Sequence, residues 1–387
     1  CYVCMDKFLD SWHSYQFRYC SVNNSGLNMF YMLGGYMAKK GLDISTIQAV
    51  LKDVQINLGW SLCIGAGTSV PALPDWFSLV ERLINHNCCP EDKIDIDVYR
   101  GMGFSADAMI QAVRNRLHIS DDEFIQLLSE EVYAPIRDKI NLNEWQSFIK
   151  VHEAFVLSGI TDREWRDFEK VKDCLLIDTS ANLLAEVVVE AIRNDQAPKA
   201  ILTFNGEAVF LALLNYYYWI NRTDNRNKFD RIINGISYKC IDRIPYIHCH
   251  GVLPINDAKP RKGRNANEKL VFLEESYLQL ANSPMSWQAI NFIENCMQSK
   301  MVFVGVSLTD PNMRRWLGWI HNNKVQELKS NGIAYSESTE HFWINRKPES
   351  EVERIWVEES VAHLGVRLVW IDEWNQVGIA LKKMLAL

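Results

Sequence analysis

The sequence predicts an α/β protein: a doubly wound parallel sheet with a large helical insertion and a helical N-terminal extension. Three observations carry this expectation. Short, apolar, β-rich runs recur through the second half of the chain, with helical stretches between several of them. That alternation belongs to a parallel sheet covered on both faces. An earlier run of the same kind, near residue 60, feeds a glycine turn and then a helix. Between the two lies a block, residues 105–195, whose apolar spacing is helical throughout. The expected organisation is an extension over 1–54, a sheet-bearing domain over 55–104 and 196–387, and an inserted helical block over 105–195.

The elements follow in chain order. In the extension, residues 28–37 are apolar, and Asp43 precedes a run to Lys52 with apolar spacing of three and four. Its methionines and aromatics suit packing on this domain or on another subunit. The run Trp60-Ser-Leu-Cys-Ile64 then meets Gly65-Ala66-Gly67-Thr68-Ser69, and Pro74-Asp75-Trp76 leads into a helical stretch from Phe77 to Ile84. Glycines there let backbone N–H groups approach an anion, and a helix start adds favourable partial charge. Helical runs follow over 106–117, from Asp121, and over 183–193, with Asp121 and Ser180 as capping signals. Strands are expected over 200–204, 247–250, 270–273, 300–305, 341–344 and 366–371, and helices over 286–299 and 377–387. The basic stretch 259–269 reads as an exposed loop.

Composition narrows the class. The chain has 387 residues, 48% apolar and 23% charged, which describes an ordinary globular protein with a large core. A formal net charge of −7 argues against a general nucleic-acid coat, while the basic stretch leaves local contact with nucleic acid open. No apolar stretch is long enough to span a bilayer. No secretory signal is visible, an absence of little weight in a chain that opens on Cys1. Ten cysteines are scattered. Cys63 falls in an expected buried strand and Cys249 lies between two histidines, which suits reduced thiols in a cytosol. Cys1-x-x-Cys4 lacks a second Cys/His pair, so it reads as unpaired thiols.

In a doubly wound sheet, ligands sit beyond the carboxyl ends of the strands. Four expected strand ends carry glycine or polar residues: Gly65–Ser69, Thr203–Glu207, His248–Gly251 and Gly305–Asn312. Each alone is explained by capping or turn chemistry. Together they would line one rim with an anion cradle, an amide, an imidazole and carboxylates, the layout of a dinucleotide site. His248 and His250 share a face if the strand continues, so spacing does not choose between them. Adjacency to Gly251 at the strand end selects His250.

The order of these motifs resembles the sirtuin superfamily, and more closely the SIR-like branch found in prokaryotic antiphage defence NADases. The resemblance rests on Gly-Ala-Gly-Thr-Ser at 65–69, Pro-Asp-Trp at 74–76, Thr-x-Asn at 203–205, His-Gly at 250–251 and Gly-x-Ser-Leu-x-Asp-Pro at 305–311. It covers about residues 60–85 and 199–387 and implies a Rossmann-like NAD domain. It implies that Gly65, Ala66, Gly67, Thr68 and Ser69 line the NAD phosphates and adjoining ribose, and that Asp75 approaches the nicotinamide side. It further implies that Asn205 orients the ribose and attacking water, that His250 is the catalytic histidine, and that Gly305, Ser307 and Asp310 contact the adenosine half.

Two departures shape the expected chemistry. Glu207 stands where sirtuins carry Asp, leaving it a choice between binding the carboxamide and capping the following helix. The segment 256–269, where deacetylases carry a four-cysteine zinc module, contains no cysteine. The expectation is therefore a zinc-free, cytoplasmic NAD+ hydrolase releasing nicotinamide and ADP-ribose, active in antiphage defence by NAD depletion. The resemblance implies a homo-oligomer, or work beside a partner such as a HerA-type ATPase, with no membrane association. The alternatives are a non-catalytic module that binds NAD or ADP-ribose, and a protein deacylase.

Overall fold

A computed structural model describes residues 59–154, 157–221, 227–235, 242–255, 270–332 and 341–387. The expected N-terminal extension and the basic stretch 259–269 lie outside the described residues.

Among the described residues, seven strands form a single all-parallel sheet in the order β3-β4-β2-β1-β5-β6-β7. They are β1 (Trp60–Ile64), β2 (Ile201–Thr203), β3 (Phe229–Ile232), β4 (Ile244–His248), β5 (Lys300–Val304), β6 (His341–Arg346) and β7 (Val366–Ile371). The fold is α/β and Rossmann-like. Every residue of β1 and β5 is buried, as expected of strands covered on both sides.

Side-chain alternation sorts the core into two halves. Trp60, Leu62 and Ile64 of β1 and Val302 and Val304 of β5 enter one apolar cluster, while Cys63, Met301 and Phe303 enter the other. The first cluster is roofed by α1 (Trp76–Asn87) and α3 (Ala106–Leu117), then α4 (Asp121–Arg137), α5 (Leu142–His152), α6 (Asp162–Val171), α7 (Ser180–Arg193) and α8 (Val209–Asn221), with α13 (Val377–Leu385). The second is roofed by α9 (Glu274–Ala281), α10 (Trp287–Gln298), α11 (Pro311–Ser330) and α12 (Glu351–Ala362). The short α2 (Ile96–Gly101) buries no side chain.

Differences from expectation have local causes. Strand β3 went unread because Asp230 and Arg231 interrupt its apolar pattern. Both are buried with partners: Asp230 accepts from Arg243 at 3.0 Å, and Arg231 donates to the His152 carbonyl at 2.9 Å. Residues 270–273 are extended but join no ladder; the Val271 N–H donates to the His250 carbonyl at 3.0 Å, and Leu273 opens α9. Helix caps sit one residue earlier than read. Ser120 and Thr179 accept from the Glu123 and Asn182 N–H groups, so Asp121 and Ser180 are first helical residues.

Candidate functional site

The chain runs from β1 to one side of the sheet through β2, β3 and β4, then returns past β1 to β5, β6 and β7. The reversal falls between β1 and β5, the place where an open parallel sheet leaves a crevice at its carboxyl edge. A cleft of about 1260 Å³, its open mouth included, occupies that position. Gly65, Ala66 and Gly67 beyond β1, His250 beyond β4, and Gly305, Ser307 and Asp310 beyond β5 line it, with Asp75 from the start of α1. A smaller adjoining cavity of about 420 Å³ is lined by Ser69, Asn205 and Glu207 and shares Ala66, Asp75 and Trp76 with the cleft. Thr68 lines neither; its hydroxyl donates back to the Gly65 carbonyl at 2.8 Å.

The glycines serve mainly the contact between two turns, a correction to the open anion cradle expected from the sequence. The Gly65 and Gly67 N–H groups donate to the carbonyls of Val304 and Gly305, each at 3.0 Å, and those of Thr68 and Ser69 close the 3₁₀ turn onto Gly65 and Ala66. Of the five N–H groups in the turn, only that of Ala66 takes no part in these bonds. A Cβ on Gly65 would lie 2.5 Å from the Gly305 carbonyl oxygen. Gly305, at φ +66°, would place one 2.6 Å from the Thr68 nitrogen.

Carboxylates cap three helix starts on the rim. Asp75 accepts from the Ser78 N–H at 2.7 Å, Asp310 from the Asn312 and Met313 N–H groups, and Glu207 from the Val209 N–H. Glu207 does more than cap. Its Oε1 accepts from the Ser69 hydroxyl at 2.7 Å and from the Asn205 amide at 2.8 Å. The carboxylate therefore locks the β1 turn to the β2 loop and fixes which way the Asn205 amide faces. Asn205 Oδ1 is buried and has no hydrogen-bond partner among the described residues.

His250 is 2% exposed, with Phe204 and Tyr277 edge-on at ring-centre distances of 4.9 and 5.1 Å. The Tyr277 hydroxyl lies 3.3 Å from Nδ1. Nε2 lies 3.6 Å from Asp310 Oδ2 and has no hydrogen-bond partner among the described residues. Burial pushes the imidazole pKa below its ordinary value, and the Asp310 carboxylate opposes that shift. His250 is therefore neutral near pH 7, with a carboxylate ready to stabilise the imidazolium.

The two histidines are separated by where β4 ends. His248 is the last strand residue; it is fully buried against Tyr246, lines neither cavity, and is held neutral by burial and by Arg231 and His152. Past it the chain turns, Gly251 adopts φ +77°, and His250 is delivered into the cleft.

Two aromatic residues of the site escaped the sequence reading. Phe272 covers the smaller cavity, its ring tilted against Trp76 with ring centres 5.0 Å apart; a Cβ on Gly206 would lie 2.1 Å from its ring. Tyr277 reaches His250 from α9, and the Asn312 side chain holds its carbonyl at 3.3 Å. Neither sits at a strand end, so no motif pointed to them. Charge is one-sided. The cleft is lined by Asp75, Asp107 and Asp310, and no Lys or Arg stands among its described lining residues.

Comparison with known families bears on two of these four rim segments, those at 248–251 and 305–312. Residues 211–364 match the family profile described as a SIR2-like domain. Over that span the chain is similar to a SIR2-like domain. The matched span runs from within α8 to the second residue after α12 and so holds His250, Tyr277, Gly305 and Asp310. The β1 turn and Asn205 precede it and join it through the sheet. No curated protein matches the chain. A SIR2-like domain implies binding of NAD. Among the described residues, no group of three or more His, Cys, Asp or Glu side chains is placed to hold a metal ion. No helix among them is long and apolar enough to cross a membrane.

Proposed function

We propose that the protein is an NAD+ glycohydrolase. The observation that carries this reading is the neutral, buried imidazole of His250, its Nε2 beside Asp310, in the same cleft as the β1 glycine turn. Cleaving the bond between ribose C1′ and the nicotinamide nitrogen gives an oxocarbenium-like transition state. The bonding pair leaves with nicotinamide and cancels the ring's positive charge, so the departure needs no general acid. Water adds to C1′ and its proton passes to Nε2 of His250, which Asp310 then stabilises as imidazolium. Tyr277 at Nδ1 holds the ring in place. The open oxygen of Asn205, an acceptor on a fixed amide, suits positioning of water or a ribose hydroxyl. The carboxylates favour the cationic end of the dinucleotide and the developing charge at C1′.

On this reading Glu207 is a positioning residue, and Gly65, Ala66 and Gly67 with Gly305 and Ser307 border the rest of the dinucleotide. The cysteine-free 256–269 segment favours plain hydrolysis over acyl-lysine chemistry. The resemblance to defence NADases supports an antiphage role by NAD depletion in a prokaryotic cytoplasm, controlled by homo-oligomerisation or by a partner such as a HerA-type ATPase.

The test is nicotinamide release from NAD+ by the purified protein. Asn205→Ala and His250→Ala are each expected to slow it by at least about 100-fold with the thermal midpoint kept. Near-normal turnover by both variants would remove the mechanism. Binding of NAD+ or ADP-ribose with no nicotinamide release in any state of assembly would favour a non-catalytic module.

A further inference from the structure

Both loops that bear the reacting groups are anchored on the helical block, on elements that precede the matched domain. The side chain that joins them is His152, the last residue of α5, 1% exposed. Its Nε2 accepts the Ala208 N–H at 2.9 Å, directly after Asn205-Gly206-Glu207. Nε2 therefore carries no proton, and Nδ1–H faces Glu153, whose Oε1 lies 3.5 Å away. Glu153 Oε1 in turn accepts the Ile255 N–H at 3.4 Å. The Tyr133 hydroxyl of α4 donates to the Leu253 carbonyl at 3.1 Å and packs against the same imidazole, 3.2 Å from Nε2. The Leu253 N–H closes the circuit onto the Gly206 carbonyl at 2.6 Å. One imidazole thus stands between the loop that follows Asn205 and the loop that follows His250.

We propose that His152 is a positioning residue for the reaction, acting as a strap through which the helical block sets the separation of Asn205 and His250. Three features set it apart from a filler of core volume. It spends its acceptor on the N–H at the start of α8, where an ordinary side chain would leave that donor buried without a partner. Its own backbone is fixed where α5 meets the sheet, because Arg231 of β3 donates to its carbonyl at 2.9 Å. Neither cavity is lined by it, so it touches no substrate. Any force that shifts α4 and α5 would be transmitted to both loops at once, a route by which assembly could govern turnover.

The proposal rests on the NAD+ glycohydrolase reading, and its test separates the two. His152→Leu removes the acceptor at similar volume; His152→Gln restores one where Nε2 stood. Hydrogen exchange over residues 203–210 is the readout independent of activity. Leu is expected to speed exchange of the Ala208 amide at least tenfold, and Gln to restore most of the protection. In nicotinamide release, Leu is expected to lower kcat at least tenfold with KM within twofold, again with rescue by Gln. Equal exchange in wild type and both variants would overturn the strap, as would Leu and Gln losing rate equally and in step with the thermal midpoint. If wild type releases no nicotinamide while the exchange pattern holds, the strap stands as structure and the hydrolase reading fails.

Discussion

Asp310 shows how far a residue's role depends on what folds beside it. The resemblance of its motif, Gly-x-Ser-Leu-x-Asp-Pro, to sirtuins assigns it to the adenosine half of a dinucleotide. In the fold it caps α11 through Oδ1 and brings Oδ2 to 3.6 Å from His250 Nε2. Removing its charge removes what opposes the burial of the imidazole. In Asp310→Asn, the acid limb of kcat/KM is therefore expected to move to lower pH. Loss of imidazolium stabilisation is expected to lower kcat by roughly tenfold. A pH–rate profile on both proteins checks the pair of effects; an acid limb moved upward would contradict the assigned pairing. Glu207 follows the same logic. Its extra methylene reads as a departure in the sequence, yet the longer side chain spans Ser69, Asn205 and the Val209 N–H together.

At the scale of elements, the β1 and β5 turns are a single unit because glycine removes the side chains between them. Gly305→Ala would force a Cβ against the Thr68 backbone at a φ of +66°. The left-handed conformation alone costs about 1–2 kcal/mol, and the clash adds to it. The variant is expected to lose more than about 2 kcal/mol in urea unfolding, with nicotinamide release falling alongside. Leu308, three residues on, does hold φ +54°. Its side chain is buried in the second core cluster and its carbonyl accepts from Arg314 at 2.9 Å, so packing offsets the strain there. Strands made mostly of apolar and β-branched residues, such as β1, β5 and β7, were legible from residue type alone. β3 was not, because a buried Asp and Arg look like surface until their partners are known. Residues 270–273 erred the other way, as apolar sequence that seals a cavity instead of extending the sheet.

Across the whole molecule, several histidines are buried neutral. His341 is pushed down to about 3 by burial and by Lys300 and Lys324, and His321 to about 4 by burial, His363 and Lys324. Because the folded values lie below the unfolded one, the unfolded chain takes up protons first as pH falls. Their contribution to stability is full above the ordinary histidine value and is lost progressively below it, toward the folded values. Each such group adds a slope of about 1.4 kcal/mol per pH unit in that window. Urea unfolding at pH 7, 6 and 5 is expected to show steady loss. His341→Asn keeps an acceptor for the Met301 N–H, which His341 Nδ1 takes at 3.2 Å, and is expected to flatten the slope by about one proton. An unchanged slope would mean that His341 already titrates normally in the folded state.

Residue order alone determined the α/β class, most strands and helices, and the four segments that meet at the carboxyl edge of the sheet. Local periodicity, glycine and capping chemistry are properties of neighbours in the chain, and they survive without a fold. What only the tertiary structure decided is which groups face each other. It set Asp310 and Tyr277 on His250, turned the Gly65 and Gly67 amides onto the end of β5, and made His152 the link between both loops. Those contacts join residues 27 to 60 or more positions apart, and no pattern along the chain records distances that arise only when strands and helices pack.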